Sequence, residues 1–304
     1  MYMKKMIFFL LALMAGAQVW AQEPAKRTIT VNGVSFNMVE VKGGRFNMGG
    51  TCEQYNCDDD EFPIHVVSLP DYLIGETEVT QRLWVAVMGD NPSTFTGDLD
   101  LPVDHVTWQN CQGFVSKLNE LTGLEFRLPT EAEWEFAARG GIYTHYYQYS
   151  GSDNIAEVAW YGDNSDNQTH VVAQLKPNEL GLYDMSGNVF EFCQDYYGSY
   201  DMMPVEAPTG PESGEERVRR GGAYSGSTKG PRISFRISEL ETVPYPYYGM
   251  RLAATVIDND LSAVVGLSGT AKPAGQRYNV AGQPVGTDYK GIVIEDGQKT
   301  VVHP

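Results

Sequence analysis

Cysteine is the residue type in this sequence with the widest chemical range, and it occurs at positions 52, 57, 111 and 193. Cys52 and Cys57 share one loop, and their Cys-x4-Cys spacing allows both sulfur atoms to reach one metal ion or each other. In an oxidising compartment a local Cys52–Cys57 disulfide is the favoured interpretation. Whether Cys111 pairs with Cys193 does not follow from the sequence.

Other side chains with catalytic potential lack partners at useful spacing. His145 and His170 have no cysteine or aspartate nearby at metal-ligand spacing, and Ser225, Ser227 and Thr228 have no evident base. The sequence also lacks the short motifs of serine hydrolases, zinc proteases and phosphate-binding loops. No catalytic constellation is therefore predicted from these residues.

The N-terminus predicts export. Lys4 and Lys5 precede an apolar run from Ile7 to Val19, and Ala21 provides a small residue before Gln22. This arrangement is typical of a secretory signal peptide at residues 1–21, with no cysteine behind it for a lipid anchor. No other run approaches the roughly 20 apolar residues of a membrane span, so no transmembrane segment is expected in the mature chain. The protein is thus predicted to be periplasmic, cell-surface or extracellular.

The overall charge limits the class of partner. The 304 residues carry 39 acidic and 22 basic side chains, a formal net charge of −17. Such a surface repels phosphate backbones and argues against nucleic-acid binding. It is compatible with an extracytoplasmic protein or with one that gathers divalent cations.

Short strands, a few helices and long loops predict an α+β fold. Three helices are predicted. The last of them is the best defined, because Thr130 and Glu133 form a capping box and Gly140-Gly141 follow its end. Beyond Arg139 few regular elements are expected. The other predicted strands and helices of this part are Ile29–Val31, Phe36–Val41, Phe46–Met48 and Ile64–Leu69, and the helices Thr80–Val87 and Asn110–Leu121.

The composition changes near the C-terminus. Residues 256–273 are small and polar, as in a linker, and residues 274–304 predict a small β module that serves as a sorting or attachment tail. Asp296-Gly297 is a strong hairpin-turn signal within it. Its predicted strands are Arg277–Val280, Gly291–Glu295 and Lys299–Val302.

Several segments, in order, resemble the formylglycine-generating enzyme, or sulfatase-modifying-factor, family. The most specific runs from Arg127 to Gly141 and reads Arg-Leu-Pro-Thr-Glu-Ala-Glu-Trp-Glu-Phe-Ala-Ala-Arg-Gly-Gly. The resemblance covers residues 28–255 and implies a loop-rich fold related to C-type lectins. The other matching segments are Phe46–Gly49, Gly75–Thr80, Pro102–Trp108, Asn178–Phe192, Arg220–Tyr224 and Gly249–Arg251.

The resemblance also implies a bound calcium ion. By position, its ligands would be the side chains of Asp184 and Glu191 and the carbonyls of Gly187 and Val189, an oxygen shell that suits a hard cation. The alternative is that Asp184 and Glu191 only cap turns by accepting backbone hydrogen bonds.

The sequence departs from the family at the catalytic centre. Active members use two cysteines that bind copper(I), closely following the Arg-Gly-Gly segment. Here Gly226 and approximately Pro231 occupy those two positions, and residues 225–232 contain no cysteine, histidine or carboxylate. Neither residue offers a side-chain ligand, so no copper site and no catalytic residue are predicted.

The same region retains aromatic and cationic residues that suit recognition of a peptide or a glycan. We therefore predict an extracytoplasmic binding module without copper-dependent activity. The alternative function is a formylglycine-generating oxidase that converts a sulfatase cysteine, and the alternative for the tyrosines is core packing. The predicted groove residues are Tyr224, Ser225, Arg232, Arg236 and Tyr247, with Tyr245 and Tyr248 beside them.

Overall fold

A computed structural model of the protein describes residues 24–256, 277–279, 291–295 and 298–302. The predicted signal peptide, most of the predicted linker and the Asp296-Gly297 turn lie outside the described residues.

The helices begin at side-chain caps that the sequence provides. Thr80, Thr107 and Thr130 each accept a backbone N–H in the first turn of the helix that follows. The first two helices end at Gly89 and Gly123, which adopt the left-handed conformation that glycine tolerates. Within the described part of the chain the α-helices are α1 (Gln81–Met88), α2 (Trp108–Thr122), α3 (Glu131–Ala138) and α4 (Ile155–Val158).

The predicted helices lie within one residue of these bounds except at the start of α2, and α4 was not predicted. The helix α2 begins two residues before the predicted Asn110, because Thr107 caps it and Asn110 supplies the reciprocal side chain of a capping box. The Thr130–Glu133 capping box of α3 is present as predicted.

The N-terminal strands lie close to their predicted positions, and each begins one or more residues away from the predicted start. The strands are β1 (Lys26–Val31), β2 (Val34–Val41), β3 (Gly44–Met48), β4 (His65–Leu69), β5 (Tyr72–Gly75), β6 (Phe126–Arg127), β7 (Ala159–Trp160), β8 (Ser186–Gly187), β9 (Phe190–Tyr196), β10 (Val205–Glu206), β11 (Glu216–Arg220), β12 (Arg236–Leu240), β13 (Tyr248–Gly249) and β14 (Ala253–Thr255).

A five-stranded sheet in the order β1-β2-β5-β14-β6 separates two apolar clusters. Side chains alternate between the faces of a strand, so Met38 and Leu73 face α1 and α2, whereas Val39 and Ile74 face α3. Both faces of this sheet are therefore covered, which explains why Tyr72, Leu73 and Ile74 of the central strand β5 are all buried.

Beyond Arg139 the described chain is mostly loops, as predicted, but it also contains a sheet that the sequence did not predict. A four-stranded sheet in the order β12-β11-β9-β13 forms there, with β11 antiparallel to both neighbours. Its strands escaped prediction because Arg217, Arg219 and Arg220 interrupt the apolar pattern, although all three are buried. The mixture of helices and separate sheets confirms the predicted α+β class.

The remaining strands form smaller sheets. One has the order β10-β4-β3, and a two-stranded parallel sheet joins β7 and β8. Near the C-terminus, β15 (Arg277–Asn279), β16 (Gly291–Glu295) and β17 (Gln298–Val302) form an antiparallel sheet in which Glu295 pairs with Gln298. The predicted strand residue Val280 lies outside the described residues.

None of the helices in the described residues is long and apolar enough to cross a membrane.

Candidate functional site

The loop at the two expected thiolate positions is held by hydrogen bonds that two of its carbonyl groups accept. The Gly226 carbonyl accepts the Gly162 N–H at 2.8 Å, and the Pro231 carbonyl accepts the Ser186 hydroxyl at 2.8 Å. A side chain at Gly222 would meet the Gly230 carbonyl carbon at 2.6 Å, so only glycine fits this close approach. The loop is thus anchored at both positions and presents no side-chain metal ligand at Gly226 or Pro231.

The predicted Cys52–Cys57 disulfide is not formed in the structure, where both thiols are free. The Cys57 Sγ donates to the Gln54 carbonyl and lies 3.4 Å from Nη1 of Arg232, whereas Cys52 is exposed beside Glu53. The turn between them therefore directs the two sulfurs to different surroundings. Burial and the nearby Glu61 carboxylate raise the pKa of Cys57 despite the opposing effect of Arg232.

Cys111 and Cys193 are also free, and both are fully buried. Burial raises the pKa of each thiol well above its ordinary value. Neither cysteine is accessible to a substrate in this arrangement.

Several tyrosines of the predicted groove region take part in aromatic contacts. The Tyr245 and Tyr247 rings stack, with centroids 5.4 Å apart and planes inclined by 11°, and Tyr245 is 40% exposed. Tyr224 lies edge-on to Phe95, and burial, Asp104 and Tyr247 raise its pKa to about 12. Ser225 is exposed next to it.

Arg232 and Arg236 do not belong to this groove, contrary to the prediction. Arg232 is buried and forms a two-point ion pair with Glu61, at 2.6 and 2.9 Å. Arg236 is buried against Glu131, with both contacts at 2.7 Å. Each guanidinium is used internally because a buried carboxylate requires a buried cation.

The family-like segment Arg127–Gly141 has a structural role of the same kind. All eight residues of α3 are buried, including three glutamates at alternate positions. Glu133 pairs with Arg127, Glu135 with Arg139 and Arg220, and Glu131 with Arg220 and Arg236. The segment is therefore a charged core helix rather than a surface that presents acids to a ligand.

Of the predicted calcium ligands, Glu191 bonds to Arg251, and Asp184 is buried near enough for both charges to affect its pKa. Glu191 accepts hydrogen bonds from the Trp134 indole at 2.6 Å and from Arg251 at 2.7–3.0 Å. Asp184 accepts the Ala173 N–H, and burial raises its pKa to about 6 despite that bond.

A third carboxylate, Glu78, completes this cluster and was missed at the sequence level. It is buried, accepts the Val189 N–H and the Asn188 amide, and its pKa is raised well above the usual range by burial and by the charges of Asp184 and Glu191. Its place in the family-like segment Gly75–Thr80 was the signal that could have identified it.

These residues fit a cation in part. Glu78, Asp184 and Glu191 are all buried, only Glu191 bonds to the Arg251 guanidinium, and the buried Val189 carbonyl accepts no hydrogen bond from the described residues. Within the same residues, no three His, Cys, Asp or Glu side chains are arranged to hold a metal by themselves. A calcium ion here would need carbonyls in its shell, as predicted, and Glu191 is already satisfied by Arg251 and Trp134.

Comparison with known proteins agrees with this architecture. Residues 25–256 match the family model of the sulfatase-modifying factor enzyme 1-like domain. The chain is similar to a chaperone protein, LppX, of Paenibacillus barcinonensis, with 35% identity over 76% of this chain and 92% of the relative.

The chain is also similar to an enzyme and to a protein of known structure. A formylglycine-generating enzyme of Streptomyces coelicolor is 28% identical, over 66% of this chain and 81% of the enzyme. The solved structure of Treponema denticola variable protein 1 aligns with a TM-score of 0.70 and 35% identity, over 77% of this chain and 100% of that one. The chain therefore belongs to the sulfatase-modifying factor enzyme 1-like family, with its C-type-lectin-like fold.

Proposed function

We propose that this protein is an exported binding module for a peptide or a glycan, without copper-dependent formylglycine-generating activity. The observation that carries the proposal is the loop at Gly226 and Pro231, which offers no side-chain ligand and whose two carbonyls accept hydrogen bonds from the Gly162 N–H and the Ser186 hydroxyl. Copper(I) prefers thiolate ligands, and none lies at these positions.

The stacked Tyr245–Tyr247 pair supports a binding role. Exposed aromatic faces bury large areas against sugars or side chains, and tyrosine loses little conformational entropy on binding. The similarity to a protein named as a chaperone favours a polypeptide ligand.

The alternative function is a formylglycine-generating oxidase, which the similarity to enzymes of that name favours. In this chain such an enzyme would need copper(I) on relocated thiolates. Cys52 and Cys57 are the only pair outside the core of the described residues. The oxidase alternative therefore depends on these two residues.

Two assays of the reduced protein without residues 1–21 separate the two functions. One is a copper(I) titration, and the other is a formylglycine assay on a cysteine-containing sulfatase peptide. We expect no stoichiometric copper binding and no aldehyde. The double variant Gly226→Cys with Pro231→Cys is expected to gain a copper(I) site, whereas the matched Gly226→Ser with Pro231→Ser variant is not. Aldehyde formation by the wild type that disappears in Cys52→Ser with Cys57→Ser would establish the oxidase instead.

Glycan and peptide arrays then test the binding role. The variant Tyr245→Ala with Tyr247→Ala is expected to lose the wild-type signal, while Tyr55→Ala keeps it, because Tyr55 is 66% exposed but belongs to no aromatic cluster in the described residues. Retention of every signal in the double variant would exclude the tyrosine pair as the binding site.

A further inference from the structure

A cleft of about 760 Å³ opens beside β3, and its lining residues include none of the tyrosine pair. Arg45, Phe46 and Asn47 line it in succession, although successive side chains of a strand point to opposite faces. Three consecutive lining residues therefore mean that the backbone edge of β3 itself borders the cleft.

This edge is open. In the order β10-β4-β3, the strand β3 is terminal and pairs only with β4 among the described residues. An edge strand presents unpaired N–H and C=O groups at every second residue. The cleft thus offers main-chain donors and acceptors to a segment that lies alongside β3.

The walls of the cleft include exposed apolar side chains between polar ones. Ile142 is 53% exposed and Tyr146 is 69% exposed, and Ile64 lies on the same cleft. Phe46 packs on Phe136, with ring centroids 5.1 Å apart, at its base. An apolar side chain entering beside Phe46 would be removed from water on several sides.

Arg45 gives the cleft its charge. It is exposed and forms no ion pair within the described residues, whereas Arg139 at the floor is bound by Glu53 and Glu135. On β4 the residue opposite Arg45 is the neutral Ser68. An opposite charge directly across a strand pair is stabilising, so the free side of Arg45 favours a carboxylate.

We propose that this cleft binds an extended peptide as an added strand on β3, with an apolar side chain beside Phe46 and an acidic side chain opposite Arg45. Main-chain hydrogen bonds to the edge would provide affinity, and the alternating side chains would provide specificity. The proposal goes beyond the tyrosine site, because it concerns a different surface and a ligand of defined sequence pattern.

Fluorescence anisotropy with a labelled seven-residue peptide of alternating valine and glutamate tests the proposal. We expect binding to the wild type, and at least a tenfold loss when alternate peptide amides are N-methylated, because they can no longer donate to β3. Arg45→Glu should also weaken binding at least tenfold and should prefer the peptide in which lysine replaces glutamate. Lys117→Glu, the same charge change at another exposed position, serves as the control.

Three results would overturn the proposal. They are no binding of the valine–glutamate peptide at millimolar concentration, equal binding of its N-methylated form, and equal effects of the Arg45 and Lys117 variants. Loss of binding only in the Tyr245→Ala, Tyr247→Ala variant would assign the peptide to the tyrosine site and leave the proposed function intact.

Discussion

At the scale of single residues, Arg232 forms a buried ion pair with Glu61 instead of the predicted contact with a ligand. Burial opposes ionisation of Glu61, but Arg232, the Ser234 hydroxyl and the Asp58 amide hold its pKa at about 2, below its ordinary 4.5. Because the folded-state pKa is lowered, the stabilisation is complete above about pH 4.5 and is lost as the pH falls towards 2.

We therefore expect Glu61→Gln to lower the free energy of unfolding by roughly 3 kcal/mol at pH 7, since Arg232 is left buried without its anion. The difference from the wild type should narrow as the pH falls from 4.5 to 2. Urea denaturation at pH 7, 4.5 and 3 measures it, with the exposed Glu212→Gln as the control. A difference that stays constant over this range would show that packing, rather than charge, accounts for the loss.

The same residues show where sequence reasoning fails at this scale. Tyr245 stacks on Tyr247, which lies close enough to Tyr224 to affect its pKa, and the role of these tyrosines in binding stays a prediction. Arg232 and Arg236 were misassigned because a sequence does not reveal that Glu61 and Glu131, more than 100 positions away, are buried against them. Long-range ion pairs of this kind have no local signal.

At the scale of elements, the sequence predicted the helix α3 but not the sheet of β9, β11 and β12. The bounds of α3 followed from its Thr130 cap, which is local chemistry. The strands were missed because Arg217, Arg219 and Arg220 are charged yet buried, and only α3 and the neighbouring aromatic rings make that burial favourable.

Arg220 is the link between these two elements, since its guanidinium bridges Glu131 and Glu135 of α3. We expect Arg220→Met to lower the free energy of unfolding by about 3–5 kcal/mol, the range for removing one partner of a buried pair. Adding Glu135→Gln to Arg220→Met should recover part of this loss in urea denaturation. Arg82→Met, which breaks the exposed pair with Asp100, should change stability by less than about 1 kcal/mol.

If Glu135→Gln lowered the free energy of unfolding of the Arg220→Met variant further, the Arg220–Glu135 ion pair would not account for the loss of stability. Full additivity of the Arg220 and Glu135 substitutions would lead to the same conclusion, because coupled residues in one buried network are not expected to act independently.

At the scale of the whole molecule, the cluster of Glu78, Asp184 and Glu191 connects the five-stranded sheet region to the loop-rich half. Arg251, just before β14, bonds to Glu191 and also to the carbonyls of Gly75 and Tyr183. A cation bound at this junction would therefore stabilise the global fold rather than one loop.

We expect chelation of calcium to lower the melting temperature, because Glu78 and Asp184 are buried without an ion pair in the described residues and the Val189 carbonyl accepts no hydrogen bond there. At a calcium concentration about 100-fold above Kd, binding contributes about 2.7 kcal/mol. For a domain of this size that corresponds to roughly 5–10 °C. Differential scanning calorimetry with calcium and with a chelator measures the shift, and magnesium tests whether the site selects the larger ion.

Asp184→Asn should remove most of the response, whereas Asp98→Asn, at an exposed position, should keep it. If the wild type melts at the same temperature with and without calcium, Arg251 and proton uptake by the carboxylates suffice to balance the buried charge, and the fold stands without a metal.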